Sequence, residues 1–297
     1  MKKFTLKTLR YALIAFILIN ALSWCSLYCL KNASFYKPEF LTHEVKDKSF
    51  DYIVIGSSIG LTSINTIQID NYCATKGINL SIDDTSTSSN YLMLQHFYKQ
   101  GGKAKFCILS LSFWDMEVAH PKLNNNDYRF LPFITEDYVY DYYNSMEETP
   151  LKPLTHSRYL PFLGVSYYNT ELFYPSIVAL LHPNLHNRFD AKGNYTYPVD
   201  FFKGHSKPKK VVLSWKNPFL DKINLLCKEH GTTLIVYQSP ILETSIVNLN
   251  TKVNFVNHAA LLAPNQGFYD EIHLDNKGRK LATEALAKEL KQNYFKS

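Results

Sequence analysis

The stretch "DYIVIGSSIGLTSIN", residues 51–65, sets a short apolar run, Ile53-Val54-Ile55, against a glycine and two serines. A run that short, ended by a turn residue, reads as a buried strand, and the residues after Ser58 can continue as a helix. In an open α/β sheet, ligands bind beyond the carboxyl ends of the strands. Ser57 and Ser58 therefore stand where such a fold does chemistry. A plainer reading competes with this one: a serine ahead of a helix can simply cap the free N–H groups of its first turn.

Working outward, similar apolar runs recur at 52–56 ("YIVIG"), 105–112 ("KFCILSLS"), 209–215 ("KKVVLSW") and 232–240 ("TTLIVYQSP"). Helical patterns separate some of them. Residues 89–102 carry Tyr91, Leu92, Leu94, Phe97 and Tyr98 at helical spacing and stop at two glycines. Residues 217–231 offer Asn217 as an N-cap, Pro218 at the first helical position and Gly231 as a stop. Residues 275–293 predict the strongest helix, with Leu281, Ala285, Leu286 and Leu290 on one face. Strands alternating with helices predict an α/β fold, a mostly parallel sheet covered by helices on both faces. Residues 117–210, rich in Tyr, Phe, Pro and Asn, show no clean period. They read as a long mid-chain insertion or cap, which must carry its own structure or a function.

Residues 11–30, "YALIAFILINALSWCSLYCL", hold no charge. At 1.5 Å per residue this run spans about 30 Å, the thickness of a hydrocarbon core. Lys2, Lys3, Lys7 and Arg10 precede it, so the positive-inside rule places the N-terminus in the cytoplasm and the rest outside. A cleaved signal peptide is the competing reading. The expected organisation is a cytoplasmic tip and transmembrane anchor over 1–31, a polar stalk over 32–50, and an α/β domain over 51–297 interrupted at about 117–210.

The 297 residues carry a net charge of +6, and the four cations before the apolar run leave about +2 for the remainder. No basic patch asks for nucleic acid. Five cysteines without a C-x-x-C pair argue against zinc ribbons and redox motifs. "GSSIG" lacks the lysine and spacing of a phosphate loop. His182 and His186 are spaced i, i+4, but Pro183 interrupts the helix that would align them. No metal or cofactor is expected.

Near the far end, "GFYDEIHLDNKG" (267–278) contains Asp270 and, three residues on, His273. A nucleophilic serine needs a base to take its proton, and that base needs a carboxylate to fix its tautomer. An early strand-end serine, a late Asp-x-x-His and a closing amphipathic helix together resemble the SGNH/GDSL hydrolase superfamily, over roughly 51–116 and 209–297. The resemblance implies a flavodoxin-like three-layer α/β sandwich. It places Ser58 as nucleophile, His273 as base and Asp270 as its orienting carboxylate, with Ser57 where the family has aspartate. It also implies an oxyanion hole built from the Ser58 N–H, a glycine N–H and an asparagine side chain. Here Asp84 or Thr85 stands near the glycine's place, and Trp114, with Ser112 close by, near the asparagine's.

Such Gly-Ser-Ser variants resemble membrane-anchored members that act on envelope polymers. The resemblance thus implies acyl-ester chemistry, esterase or O-acyltransferase, on an envelope glycan, with a membrane-embedded acyl donor protein as a partner. Two alternatives stay open: a catalytically silent domain of the same fold that binds glycan or scaffolds an assembly, and a lipid-directed esterase.

Overall fold

The computed structural model describes residues 1–199, 202, 206–264 and 266–295. From the N-terminus its elements are α1 (Lys2–Lys31), α2 (Lys37–His43), β1 (Ser49–Gly56), α3 (Ser58–Ser63), α4 (Thr66–Cys73), β2 (Gly77–Asn79), α5 (Thr87–Lys99), β3 (Lys103–Ser110) and α6 (Phe113–Glu117). A 3-10 helix (Asn125–Phe133) follows, then α7 (Asp137–Met146), α8 (Pro153–His156), α9 (Pro161–Tyr168) and α10 (Thr170–Leu181). The chain closes with β4 (Lys209–Val212), α11 (Pro218–Glu229), β5 (Thr233–Gln238), β6 (Thr244–Val247), β7 (Phe255–Asn257) and α12 (Asn276–Asn293). They form two compact units: Met1–Val45 with Asp127–Asn187, and Lys46–Asn126 with Arg188–Ser297.

The second unit is α/β. Its central sheet runs β2-β1-β3-β5-β7, and every pairing is parallel. Tyr52 through Ile55 are fully buried, as expected of strands covered on both faces. The chain steps from β1 to β2 on one side, then to β3 on the other, so the strand order reverses at β1/β3. That reversal is the topological switch point beside which ligands bind. One core cluster joins Tyr52, Val54, Ile108, Ile235 and Tyr237 of the sheet to Ile69 of α4 and to Leu286 and Leu290 of α12. Helices α5 and α11 pack on each other, α5 also on β1 and α11 on β5.

The run 209–215, expected among the strands of this sheet, lies outside it. Only Lys209–Val212 are extended, and they pair in parallel with β6 in a separate two-stranded sheet. Two lysines in four residues leave the strand largely exposed. The fifth place in the main sheet belongs to β7, three residues long, too short to give a pattern.

The first unit is helical. Residues 32–50, expected as a polar stalk, hold α2, whose Pro38, Phe40 and Leu41 are buried, as is Tyr36 just before it; β1 already begins at Ser49. From 127 to 187 the aromatic-rich stretch is helical and buries Phe130, Phe133, Tyr142 and Tyr143. Asp127 accounts for two of these tyrosines: its carboxylate accepts from the Tyr142 hydroxyl at 2.7 Å and its carbonyl from Tyr143 at 2.6 Å. A buried tyrosine needs such a partner. The stretch 117–210 is thus shared: 127–187 belong with the N-terminal residues, and its flanks belong to the α/β unit.

Helix α12 seats on the turn between α3 and α4 through polar side chains. Thr283 Oγ1 donates to the Ser63 carbonyl and accepts from the Asn65 N–H, both at 3.1 Å, and Arg279 Nη2 donates to the Ile64 carbonyl at 3.0 Å. Thr283→Val keeps the shape but leaves a buried N–H and C=O unpaired. It should cost about 1–3 kcal/mol, read as a lower urea midpoint with an unchanged m-value.

Candidate active site

Because the five strands are parallel, the loops after all of them open on one rim. At the end of β1, Gly56 pairs with Ser110 of β3. A Cβ on Gly56 would lie 2.2 Å from the Ser110 carbonyl oxygen, so the glycine is required by close approach of the two strands. Ser57 is the N-cap of α3, yet its side chain makes no capping bond. Ser58 is the first residue of α3, and its hydroxyl goes elsewhere.

The loop before α12 folds into a narrow turn. Phe268 and Leu274 bridge across it, and the Tyr269 N–H donates to the His273 carbonyl at 2.9 Å. Inside the turn, Asp270 Oδ1 accepts from the N–H groups of Ile272 and His273 at 2.9 and 2.8 Å. Asp270 Oδ2 lies 2.7 Å from His273 Nδ1, and His273 Nε2 lies 2.8 Å from Ser58 Oγ. At the foot of the turn, the Asp275 carboxylate caps α12 by accepting from the N–H groups of Lys277 and Gly278. Gly267, at φ +78°, approaches Gly278 so closely that neither tolerates a Cβ.

The structure therefore brings Ser58, His273 and Asp270 into one hydrogen-bonded chain. No family model and no curated protein matches this sequence.

Burial opposes charge on Asp270, but the bonds from His273 and from the Ile272 and His273 amides outweigh it and hold the carboxyl below its usual value. An ionised Asp270 favours the tautomer in which His273 Nδ1–H donates to it. Nε2 is then free to accept the Ser58 proton. This is the alignment that activates a serine for attack on a carbonyl carbon.

The other sequence candidates reach the same rim but make no hydrogen bond to Ser58 or His273 among the described residues. Residues 80–82 run on beside β1, with the Ile82 N–H donating to the Gly56 carbonyl at 2.9 Å; this carries Asp84 and Thr85 to the rim. The Thr85 hydroxyl is used locally, donating to the Ile82 carbonyl at 2.6 Å. Asp84 sits at φ +52° and accepts from Asn125 at 2.8 Å. Beyond β3, Ser112 is the N-cap of α6, and Trp114 is 37 % exposed against the Phe113 ring. Of the expected oxyanion donors, the Ser58 N–H stands at the first turn of α3, where backbone donors have no partner within the helix.

Two tyrosines escaped the sequence reading. Tyr197 and Tyr269 stack at 4.1 Å between centroids, and Tyr197 meets the His273 ring edge-on at 5.5 Å. Tyr197 lies in the aperiodic stretch "GNYTYP", and nothing in its spacing ties it to residue 273. On α4 and α12, a cleft of about 630 Å³ is lined by Asn65, Gln68, Asn71, Tyr72, Asn276 and Arg279. Among the described residues, no group of three or more His, Cys, Asp or Glu side chains is placed to hold a metal; His186 instead bonds Glu44 at 2.6 Å.

Asp115, one residue beyond Trp114, is pushed up to about 6 by burial, against the Ser112 hydrogen bonds that favour its ionised form. In the folded protein it keeps a proton between its ordinary value of 3.8 and about 6, where the unfolded chain has lost it. Stability should therefore fall as pH rises through that window and level off above it. Asp115→Asn removes this component. The thermal midpoint of the wild type relative to the variant should decline from about pH 4 to about pH 6.5 and then stay flat.

Proposed function

We propose that this chain is a membrane-anchored, serine-dependent acyl-ester enzyme of SGNH type, acting as an esterase or O-acyltransferase on a cell-envelope polysaccharide. The observation that carries the reading is the hydrogen-bonded sequence Ser58 Oγ–His273 Nε2 and His273 Nδ1–Asp270 Oδ2, assembled from residues 215 positions apart. In this reading Ser58 Oγ attacks the ester carbonyl while His273 Nε2 takes its proton. The tetrahedral intermediate collapses, the leaving alkoxide receives that proton from His273, and the acyl group stays on Ser58. Water or a sugar hydroxyl then gives its proton to His273 and attacks the acyl-serine; as the acyl–oxygen bond breaks, His273 returns that proton to Ser58 Oγ, which restores both residues. Asp270 stays ionised and stabilises the imidazolium.

The parallel sheet with its switch point at Ser58 supports a three-layer, flavodoxin-like arrangement, and the unit division supports an interruption over 127–187 within the expected 117–210. Helix α1 supports anchoring: it is long and apolar enough to cross a membrane. The cations ahead of it support a cytoplasmic N-terminus and an extracytoplasmic catalytic unit. A glycan substrate is supported by the sequence resemblance. A membrane-embedded acyl donor protein is the partner this chemistry would draw on.

A second reading, a catalytically silent domain that binds glycan or scaffolds an assembly, is favoured by the carboxylates of Asp84 and Asp115. They occupy the rim where an oxyanion would need donors. Missing one such donor typically costs 10²–10³ in rate, about 3 kcal/mol.

Treatment of the full-length protein with a fluorophosphonate probe separates the two. The wild type should label and Ser58→Ala should not, while His273→Ala should slow labelling by about 10²–10⁴. Equal labelling of wild type and Ser58→Ala would exclude the serine as nucleophile. No labelling of the wild type, with glycan binding unaffected by His273→Ala, would establish the silent domain.

A further inference from the structure

Helix α1 is flanked, within its own unit, by α9 and α10. The buried residues of α1, Ser23, Ser26, Leu27 and Leu30, lie inside the uncharged run 11–30. The contact reaches further still: the rings of Phe16 and Phe162 meet edge-on at 5.6 Å. Fifteen residues separate Phe16 from Lys31, so Phe162 packs about 22 Å back along the helix from its charged end. If α1 crosses a bilayer, whatever packs against Phe16, Ser23 and Ser26 lies at bilayer depth.

The composition of that neighbour fits such a place. Between Pro161 and Leu181 the only charged residue is Glu171. Helix α10 is apolar but, at 12 residues, about 18 Å long, too short to span a hydrocarbon core. It turns five large apolar side chains outward: Phe173, Tyr174, Ile177, Leu180 and Leu181, from 43 % to 66 % exposed. A patch this dense is uncommon on a surface facing water. On α1 beside it, Ile17, Leu18 and Leu22 are also more than half exposed. Trp24 and Tyr28 stack on one another toward the end of the helix, where an aromatic belt meets the membrane interface.

We propose that α9 and α10 form a second membrane-embedded element beside α1, their exposed faces contacting acyl chains in the leaflet that holds the C-terminal half of that helix. The occupant is lipid because these faces adjoin the surface of α1 that lipid itself would cover. This inference shares with the proposed function only the crossing of the membrane by α1, and does not depend on the Ser58 chemistry.

The test uses full-length protein in phosphatidylcholine vesicles with a photoactivated apolar carbene reagent that partitions among the acyl chains, and maps labelled peptides by mass spectrometry. Label is expected on 11–30 and on 160–181, and not on Leu225 or Leu249, exposed leucines of the second unit. The double variant Ile177→Asp, Leu181→Asp should lose label from 160–181 and keep it on 11–30. Label on 11–30 without label on 160–181 in the wild type would overturn this inference and leave the anchor standing. Absence of label from both would overturn it together with the anchor, and equal label on Leu225 and Leu249 would overturn it as non-selective.

Discussion

Two side chains on one face of α12, Arg279 and Thr283, satisfy three backbone groups of the turn that joins α3 to α4. The rest of the site depends on that contact. Ser58 begins α3, and His273 stands just ahead of α12, so the register between the two helices sets the distance from hydroxyl to imidazole. A slide of α12 by one residue, about 1.5 Å, would break all three bonds at once and part Ser58 from His273. Arg279 is 6 % exposed, and burial pushes its guanidinium down to about 10. It still carries its charge at neutral pH. A rigid, planar donor held this way locates the carbonyl of Ile64 more firmly than a flexible ammonium would.

A second constraint acts within the Asp270–His273 turn. One oxygen of the carboxylate shapes the backbone by taking two amide N–H groups, and the other fixes the imidazole. The groups that orient the imidazole also build the loop that presents it, so its geometry is set by the fold itself. Preorganisation of this kind is what gives fixed dipoles their catalytic value. The stacked pair Tyr197–Tyr269 adds an aromatic wall against the same ring.

Much of the α/β unit was legible because parallel strands buried on both faces are continuous apolar runs; β1, β3 and β5 are of that kind. One cap was legible too: Asn217, expected to open its helix, accepts from the Phe219 N–H. The buried face of α12 was legible only in part: Leu286 and Leu290, expected on it, are fully buried. Leu281, expected on it, is 44 % exposed, while Arg279 and Thr283 lie inside. Hydrophobic spacing finds apolar contacts and misses a face whose polar groups are buried to serve backbone atoms of another helix. Strands β2 and β7 have three residues each, below the length at which alternation has meaning. The stretch 127–187 lacked a period because its short helices bury aromatic rings whose hydroxyls find partners inside, as those of Tyr142 and Tyr143 do at Asp127. Ser58, Asp270 and His273 could be picked out by residue type and order along the chain. Tyr197 could not, because only the folded loop carries it to His273.

The 215 positions between hydroxyl and imidazole also govern when the site comes into being. A ribosome releases Ser58 ahead of His273 by 215 residues, so over all of that synthesis the growing polypeptide carries the hydroxyl with no imidazole beside it. Only when α12 docks are the partners joined. A product truncated before residue 273 would lack the Ser58–His273 bond, however well its sheet had formed.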